Sequence, residues 1–237
     1  MSTVIDFHSH ILPGIDDGSA SVEESIAMLR MEAEQGIECV IATPHFYAQH
    51  DTPERYLSRR LEAQRILQEE IKKNPGFPMV KYGAEVYYFN GISDSDVISE
   101  LTIDSKCCML IEMPGVPWTQ SMYRELEGLY VKRGIMPIIA HIDRYIAPFR
   151  TFGIPERLAE LPVLVQANAE FFLDRHTTSM ALRLLRHDKI HLLGSDCHNL
   201  KSRKPNVGDA LKVIRRRLGD EALERINSYE QDILSDV

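Results

Sequence analysis

A chain of 237 residues with 44% hydrophobic and 26% charged side chains has the balance of a globular domain and not of a disordered segment. Its formal net charge of -8 argues against a nucleic-acid groove, because phosphate backbones are held by basic faces. The longest apolar runs, such as 135–140, fall far short of the ~20 residues of a membrane helix. No basic and then apolar leader opens the chain, and the four cysteines form no CxxC pair. A cytoplasmic protein with reduced thiols and no membrane insertion is expected.

In chain order, the apolar run 3–7 predicts a buried strand. Ser21 with Glu24 then forms a capping-box signature, and Val22, Ile26, Leu29 and Ala33 share one helical face until Gly36 ends it. Residues 37–42 predict a second strand, and Pro53 after Thr52 opens a long charged helix that ends before Asn74-Pro75-Gly76. Short strands follow at 79–84, 107–111, 135–140, 163–167 and 191–194, with helical patterns near 92–99, 119–133, 155–160, 176–187 and 206–218. Continuous apolar strands alternating with helices predict a parallel sheet buried on both faces. Seven such units without a linker or repeat predict a single α/β domain over 1–237, closed or nearly closed as a barrel. The rival, an open doubly wound sheet, lacks a GxGxxG or GK[ST] loop here.

The chemistry lies where these strands end. Strand one ends in His8-Ser9-His10, strand two in Pro44-His45, strand three in Gly83-Ala84-Glu85 and strand four in Glu112. Strand five ends in His141 and strand seven in Asp196-Cys197-His198, while Asp16-Asp17-Gly18 lies in the first loop. In a parallel barrel those ends share one face, where active sites are built. Histidine and carboxylate without thiolate suit Mn, Fe, Zn or Mg. Nine candidates exceed the roughly three protein ligands of one catalytic ion and suit two or three ions with bridging carboxylates. Arg144 and Arg203 follow the strand-five and strand-seven ligands. Guanidinium forks beside such a centre favour phosphate over amide chemistry.

In this order, Asp6-Phe7-His8-Ser9-His10, Asp16-Asp17-Gly18, Thr43-Pro44-His45, Gly83-Ala84-Glu85, Ile111-Glu112, Ala140-His141-Ile142-Asp143-Arg144-Tyr145 and Ser195-Asp196-Cys197-His198-Asn199 resemble the motifs of the polymerase-and-histidinol-phosphatase superfamily. More narrowly, the chain resembles the bacterial metal-dependent protein-tyrosine phosphatases of the CpsB/CapC/YwqE type, from about residue 5 to 205. The resemblance implies a distorted (β/α)7 TIM-like barrel and a trinuclear centre, with manganese first among the metals and iron, magnesium or zinc behind it. By that resemblance His8, His10, Glu85 and Asp196 hold one metal, Glu85, Glu112 and His141 a second, and Asp17, His45 and His198 a third. Arg144 and Arg203 contact the phosphate. It further implies phosphotyrosine hydrolysis by a metal-bound hydroxide in capsular or exopolysaccharide biosynthesis, with a membrane-anchored tyrosine autokinase as partner. Where relatives often carry basic residues after the ligand matching His45, this chain has Phe46 and Tyr47, expected to offer an apolar wall to the substrate ring.

Asp16 is expected to serve only its turn, and His50, His176, His187 and His191 to be structural. Tyr87, Tyr88 and Phe89 are assigned to packing before a pocket wall. Cys197-x5-Arg203 matches the spacing of thiol-based tyrosine phosphatases, but its loop has no glycine and Lys204-Pro205 follows. The alternatives are a small-molecule phosphatase of the histidinol-phosphatase type and a catalytically silent metal-binding regulator.

Overall fold

The structure is a computed structural model that describes residues 4–73, 75–105, 107–146 and 153–234. Thr3 of the first expected strand and Asn74 of the expected helix stop lie outside them. In chain order the elements are β1 (Ile5–Ser9), α1 (Val22–Glu34), β2 (Cys39–Ala42), β3 (His45–Phe46), α2 (Pro53–Ile71), β4 (Met79–Tyr82) and β5 (Glu85–Tyr87). After 3-10 turns come β6 (Cys108–Glu112), α3 (Gln120–Arg133), β7 (Met136–Ile139), α4 (Asp143–Ile146), α5 (Ile154–Leu158) and β8 (Leu164–Asn168). The chain finishes with α6 (Glu170–Leu173), α7 (Thr178–Arg186), β9 (Leu192–Gly194), α8 (Val207–Leu218) and α9 (Asp220–Leu234).

Every strand pairing is parallel. The sheet is a distorted barrel, because the second and third expected strands are each broken. Pro44, which has no N–H to give a ladder, separates β2 from β3, and Gly83-Ala84 separates β4 from β5. The ladder continues across both breaks through Gly83 N–H to Ala42 O (2.9 Å) and Glu85 N–H to Pro44 O (3.1 Å). The ring then runs β3-β5-β6-β7-β8-β9. At the seam between β1 and β9, Asp196 N–H donates to His8 O (2.8 Å) and His10 N–H to Cys197 O (2.9 Å).

Gly194 makes the seam possible. A Cβ there would stand 2.4 Å from the His8 Cβ, closer than packed atoms approach. Two sets of alternating strand residues are buried. Phe7, Ile41, Leu110 and Ile138 pack together, with Tyr229 and Ile233 of α9 against them. Val40, Ile111, Ile139 and Val165 meet helix residues such as Leu29, Leu67 and Leu126.

Most helices lie where expected. Thr52 and Thr119 cap α2 and α3 with their side chains, and Ser21 accepts from Glu24 N–H at α1. The Glu24 carboxylate takes the Ala20 N–H instead of completing a box. The expected helix 92–99 is a run of 3-10 turns, and α9 was not foreseen because its amphipathic stripe follows no strand. No described helix is long and apolar enough to cross a membrane.

Candidate metal centre

Parallel strands place their C-terminal residues at one mouth, and the nine expected ligands meet there. His8 Nε2 lies 3.1 Å from His10 Nε2, 3.2 Å from Glu85 Oε2 and 3.6 Å from Asp196 Oδ1. His10 Nε2 lies 3.3 Å from the same Glu85 oxygen and 3.5 Å from Asp196 Oδ1. Four donors at about 2.1 Å from a common ion stand about 3.4 Å apart in a tetrahedron. His8, His10 and Glu85 therefore stand close enough together to share one cation, with Asp196 Oδ1 beside the two imidazoles.

The other Glu85 oxygen is 2.8 Å from His141 Nε2, and Glu112 Oε1 is 3.7 Å from that nitrogen. His45 Nδ1 approaches Glu85 Oε2 at 3.0 Å and Glu112 Oε2 at 3.9 Å, so it borders this second group as well. Asp17 Oδ1 stands 3.5 Å from both His45 Nε2 and His198 Nε2, and His10 joins them in a compact third group. Glu85 Oε2, His45 Nδ1 and His198 Nε2 are buried with no hydrogen-bond partner. Buried lone pairs left so are costly, and a cation satisfies them.

A surrounding layer aims these ligands, and sequence reasoning missed most of it. Asp16 does more than close a turn: its Oδ2 accepts from His10 Nδ1 (2.7 Å) and from His45 N–H (2.9 Å). Gly18 lets that loop close, since a Cβ would lie 2.3 Å from His10 O. Gln166 and Asn168 come from β8, which supplies no ligand. Gln166 Oε1 faces His8 Nδ1 (3.2 Å) and accepts from His141 N–H (2.7 Å). Asn168 Nδ2 donates to Asp196 Oδ2 (3.0 Å). With Nδ1 of His8 and His10 engaged by these acceptors, Nε2 of both is left for a metal. His141 and Asp196 hold φ values of 33° and 52°, strained conformations that the surrounding bonds maintain.

Asp6 ties the seam from behind by accepting from Ser195 N–H (2.8 Å), Ser195 Oγ (2.5 Å) and His8 N–H (3.1 Å). Beside it Glu32 of α1 is fully buried, and neither of its oxygens has a donor. Burial and the Asp6 charge push the Glu32 carboxyl well above the usual range, so it carries the proton of the pair. The folded chain thus keeps a proton that the unfolded chain releases above its ordinary value, and this contribution to stability is lost as pH rises toward the raised pKa. Glu32→Gln cannot lose that proton. Its melting temperature should fall less than the parent's between pH 6 and 9, by roughly 3 °C per kcal/mol spared. Equal slopes in a calorimetric pH series would refute the shared proton.

Opposed charges dominate the mouth. Burial alone would lower the His10 pKa, but the bond to Asp16 and the nearby Glu85 charge raise it to about 10. Burial likewise disfavours charge on Glu85 and Asp196, yet the neighbouring imidazoles hold both well below the carboxylate range. His198 is lowered to about 4 by burial and by His10. Arg144 and Arg203 close the rim on Asp196: the Arg144 guanidinium is paired with its Oδ2, and Arg203 Nη2 is 2.6 Å from its Oδ1. Their side chains remain 40% and 37% exposed, within reach of an incoming anion.

A cavity of about 370 Å³ adjoins the centre, lined among others by Asp17, His45, Tyr47, His50 and Arg59. Tyr47 packs between His45 and Tyr87 with tilted rings, the centroids at 5.2 and 5.5 Å. Phe46 touches this cavity, but it is 2% exposed and packs against Tyr56. The expected aromatic trio divides accordingly: Tyr88 is buried, while Tyr87 faces Tyr47. His50 packs on Tyr47. His191 accepts from Val165 N–H and meets Tyr229 edge to face, a structural role. Cys197 is wholly buried in the core, and burial pushes its thiol well above the ordinary value. Such a thiol does not supply a nucleophilic thiolate.

A family model for capsular polysaccharide synthesis, CpsB/CapC, matches residues 4–234. The chain is 30% identical to tyrosine-protein phosphatase CpsB of Streptococcus pneumoniae over 229 residues, 91% of either chain. It is 29% identical to tyrosine-protein phosphatase YwqE of Bacillus subtilis over 231 residues, 92% of this chain and 86% of that one. A crystal structure from the pair YwqE of Bacillus subtilis and CpsB of Streptococcus pneumoniae, metal-dependent tyrosine phosphatases, superposes with a TM-score of 0.85 at 27% identity. It covers 96% of this chain and 93% of that one.

Proposed function

The chain belongs to the capsular polysaccharide synthesis family CpsB/CapC, and on that premise we propose that it is a metal-dependent phosphotyrosine-protein phosphatase acting in the control of capsular or exopolysaccharide synthesis. The observation that carries this reading is Glu85, whose two oxygens serve two ligand groups, one with His8, His10 and Asp196 and one with His141 and Glu112. Two or three divalent ions, manganese first, are held by His8, His10, Asp17, His45, Glu85, Glu112, His141, Asp196 and His198. When bound, such ions supply an activated water and neutralise phosphate charge.

The chain's own groups do the rest. Arg144 and Arg203 turn from Asp196 to the phosphoryl oxygens and stabilise charge that grows in the transition state. Tyr47 flanks the phenyl ring, with Phe46 supporting it from the core. Asp16 and Gln166 hold the His10 and His8 rings in the ligating tautomer. The departing phenolate, with an ordinary pKa of about 10, leaves without a dedicated strong acid. The partner in this reading is a membrane-anchored bacterial tyrosine autokinase, met on the cytoplasmic side.

Two comparisons test the reading. kcat/KM on a phosphotyrosine peptide should exceed that on histidinol phosphate; the reverse order would move the site to small-molecule phosphatase chemistry, and no turnover of any phosphoester would leave a silent regulator. Cys197→Ser should keep most of the activity, because the thiol sits in the core. Abolished turnover in a folded Cys197→Ser protein would transfer the chemistry to a thiolate mechanism.

A further inference from the structure

Arg203 can meet a phosphate reliably only if the turn that carries it is fixed, and that turn lies on the surface. It runs from His198 through Leu200, Lys201 and Ser202, which are exposed, so burial does little to hold it. Its order comes from Asn199. The Asn199 Oδ1 accepts from the backbone N–H groups of Lys201 (2.9 Å), Ser202 (2.9 Å) and Arg203 (3.2 Å). The Arg203 carbonyl closes the turn from the other side, accepting from His198 N–H (2.8 Å) and Asn199 N–H (3.1 Å). Both peptide groups that flank the Arg203 Cα are thereby bonded to Asn199, and the guanidinium reaches the rim of the metal mouth, 2.6 Å from Asp196 Oδ1. The two ends of the turn are anchored independently. His198 is buried, with its Nδ1 3.0 Å from Asp196 O. Pro205 is buried, and its carbonyl accepts from Gln35 Nε2 of α1 (2.9 Å). Loss of the Asn199 side chain therefore frees 200–203 without releasing a metal ligand.

We propose that Asn199 is a positioning residue for the reaction: its carboxamide oxygen fixes the backbone of Arg203 so that the guanidinium stands at the phosphoryl oxygens before the substrate arrives. This rests on the reading above, in which Arg203 stabilises charge that grows in the transition state. A displacement of about 1 Å at such a group can cost on the order of a hundredfold in rate. Without the carboxamide the exposed turn samples other backbone conformations, and the entropy of ordering it falls on the reaction itself. The device needs an accepting oxygen and nothing else from the side chain, so aspartate can supply it and alanine cannot.

The test is a double-mutant cycle on a phosphotyrosine peptide in the metal-loaded enzyme. Asn199→Ala should lower kcat roughly ten- to hundredfold, with the metal content and circular dichroism of the parent. In an Arg203→Ala background, which keeps the backbone bonds and removes only the guanidinium, the same change should cost less than about twofold. Asn199→Asp keeps the accepting oxygen and should hold most of the parental kcat. Amide hydrogen exchange at Lys201, Ser202 and Arg203 should be faster in Asn199→Ala than in the parent. Equal losses with and without the guanidinium would overturn the proposal, since a general loss of stability acts on both backgrounds alike. So would a parental kcat in Asn199→Ala, or an Asn199→Asp enzyme as slow as the alanine variant. Metal lost with the Asn199 side chain would also overturn it, by making His198 the group that is positioned. Undiminished turnover in Arg203→Ala alone would instead sink the reading of Arg203 as a phosphate contact.

Discussion

Glu85→Gln should lower kcat/KM on a phosphotyrosine peptide by about a thousandfold or more, an effect larger than the 10–100-fold cost usual for the groups that merely orient metal ligands. The Glu85 carboxylate is fully buried and reaches His8, His10, His45 and His141 within 3.3 Å. A glutamine keeps the shape, removes the negative charge and turns one oxygen into a donor. It can no longer serve two ligand groups. The variant should fold, since the seam bonds of Asp6, His8 and Asp196 do not involve Glu85, and its circular dichroism should match the parent's. Metal analysis after dialysis should find fewer bound ions per chain. A folded Glu85→Gln protein with undiminished turnover would show that the reaction does not need the Glu85 carboxylate.

The second large effect belongs to the arginines. Arg144→Ala and Arg203→Ala should each reduce kcat/KM by roughly 10²–10³, the scale found when one donor to a developing negative charge is deleted. Both guanidinia converge on Asp196, so they act on the same charge and their losses should not add. A fall in kcat marks transition-state contact, whereas a rise in KM alone marks uniform binding. Arg→Lys at either position keeps the charge and loses the fork, so it should recover only part of the loss. Metal content should be unchanged in all four variants. Activity near the parental level in both alanine variants would show that the phosphate is held elsewhere.

The barrel was legible because each strand is a short apolar run followed by a polar residue at a constant position. That regularity also exposed His8, His45, Glu85, Glu112, His141 and Asp196, since a histidine or carboxylate at the end of a buried parallel strand has few structural uses. The two strand breaks were less visible: Pro44 and Gly83 read as strand ends, but the ladder resumes after each. The orienting layer was the least visible part. Asp16 has the look of ordinary turn chemistry, and only the fold shows its oxygen on His10 Nδ1. Gln166 and Asn168 are neutral amides on a strand without ligands, and nothing local marks them. Glu32 was hidden because it lies off the helical face assigned by Val22, Ile26, Leu29 and Ala33. The helix turns so that Ser25, Met28, Leu29 and Glu32 are the buried positions, and a protonated Glu32 can share its proton with the neighbouring Asp6.

Restoration of activity after chelation tests the central claim most directly. The enzyme is stripped with a chelator, dialysed, and assayed on a phosphotyrosine peptide with Mn²⁺, Fe²⁺, Mg²⁺ and Zn²⁺ returned one at a time. The site described above predicts that stripping abolishes turnover and that at least one ion, manganese first, restores it at more than one equivalent per chain. Turnover that survives complete stripping, or that no ion restores in a protein still folded, would contradict it.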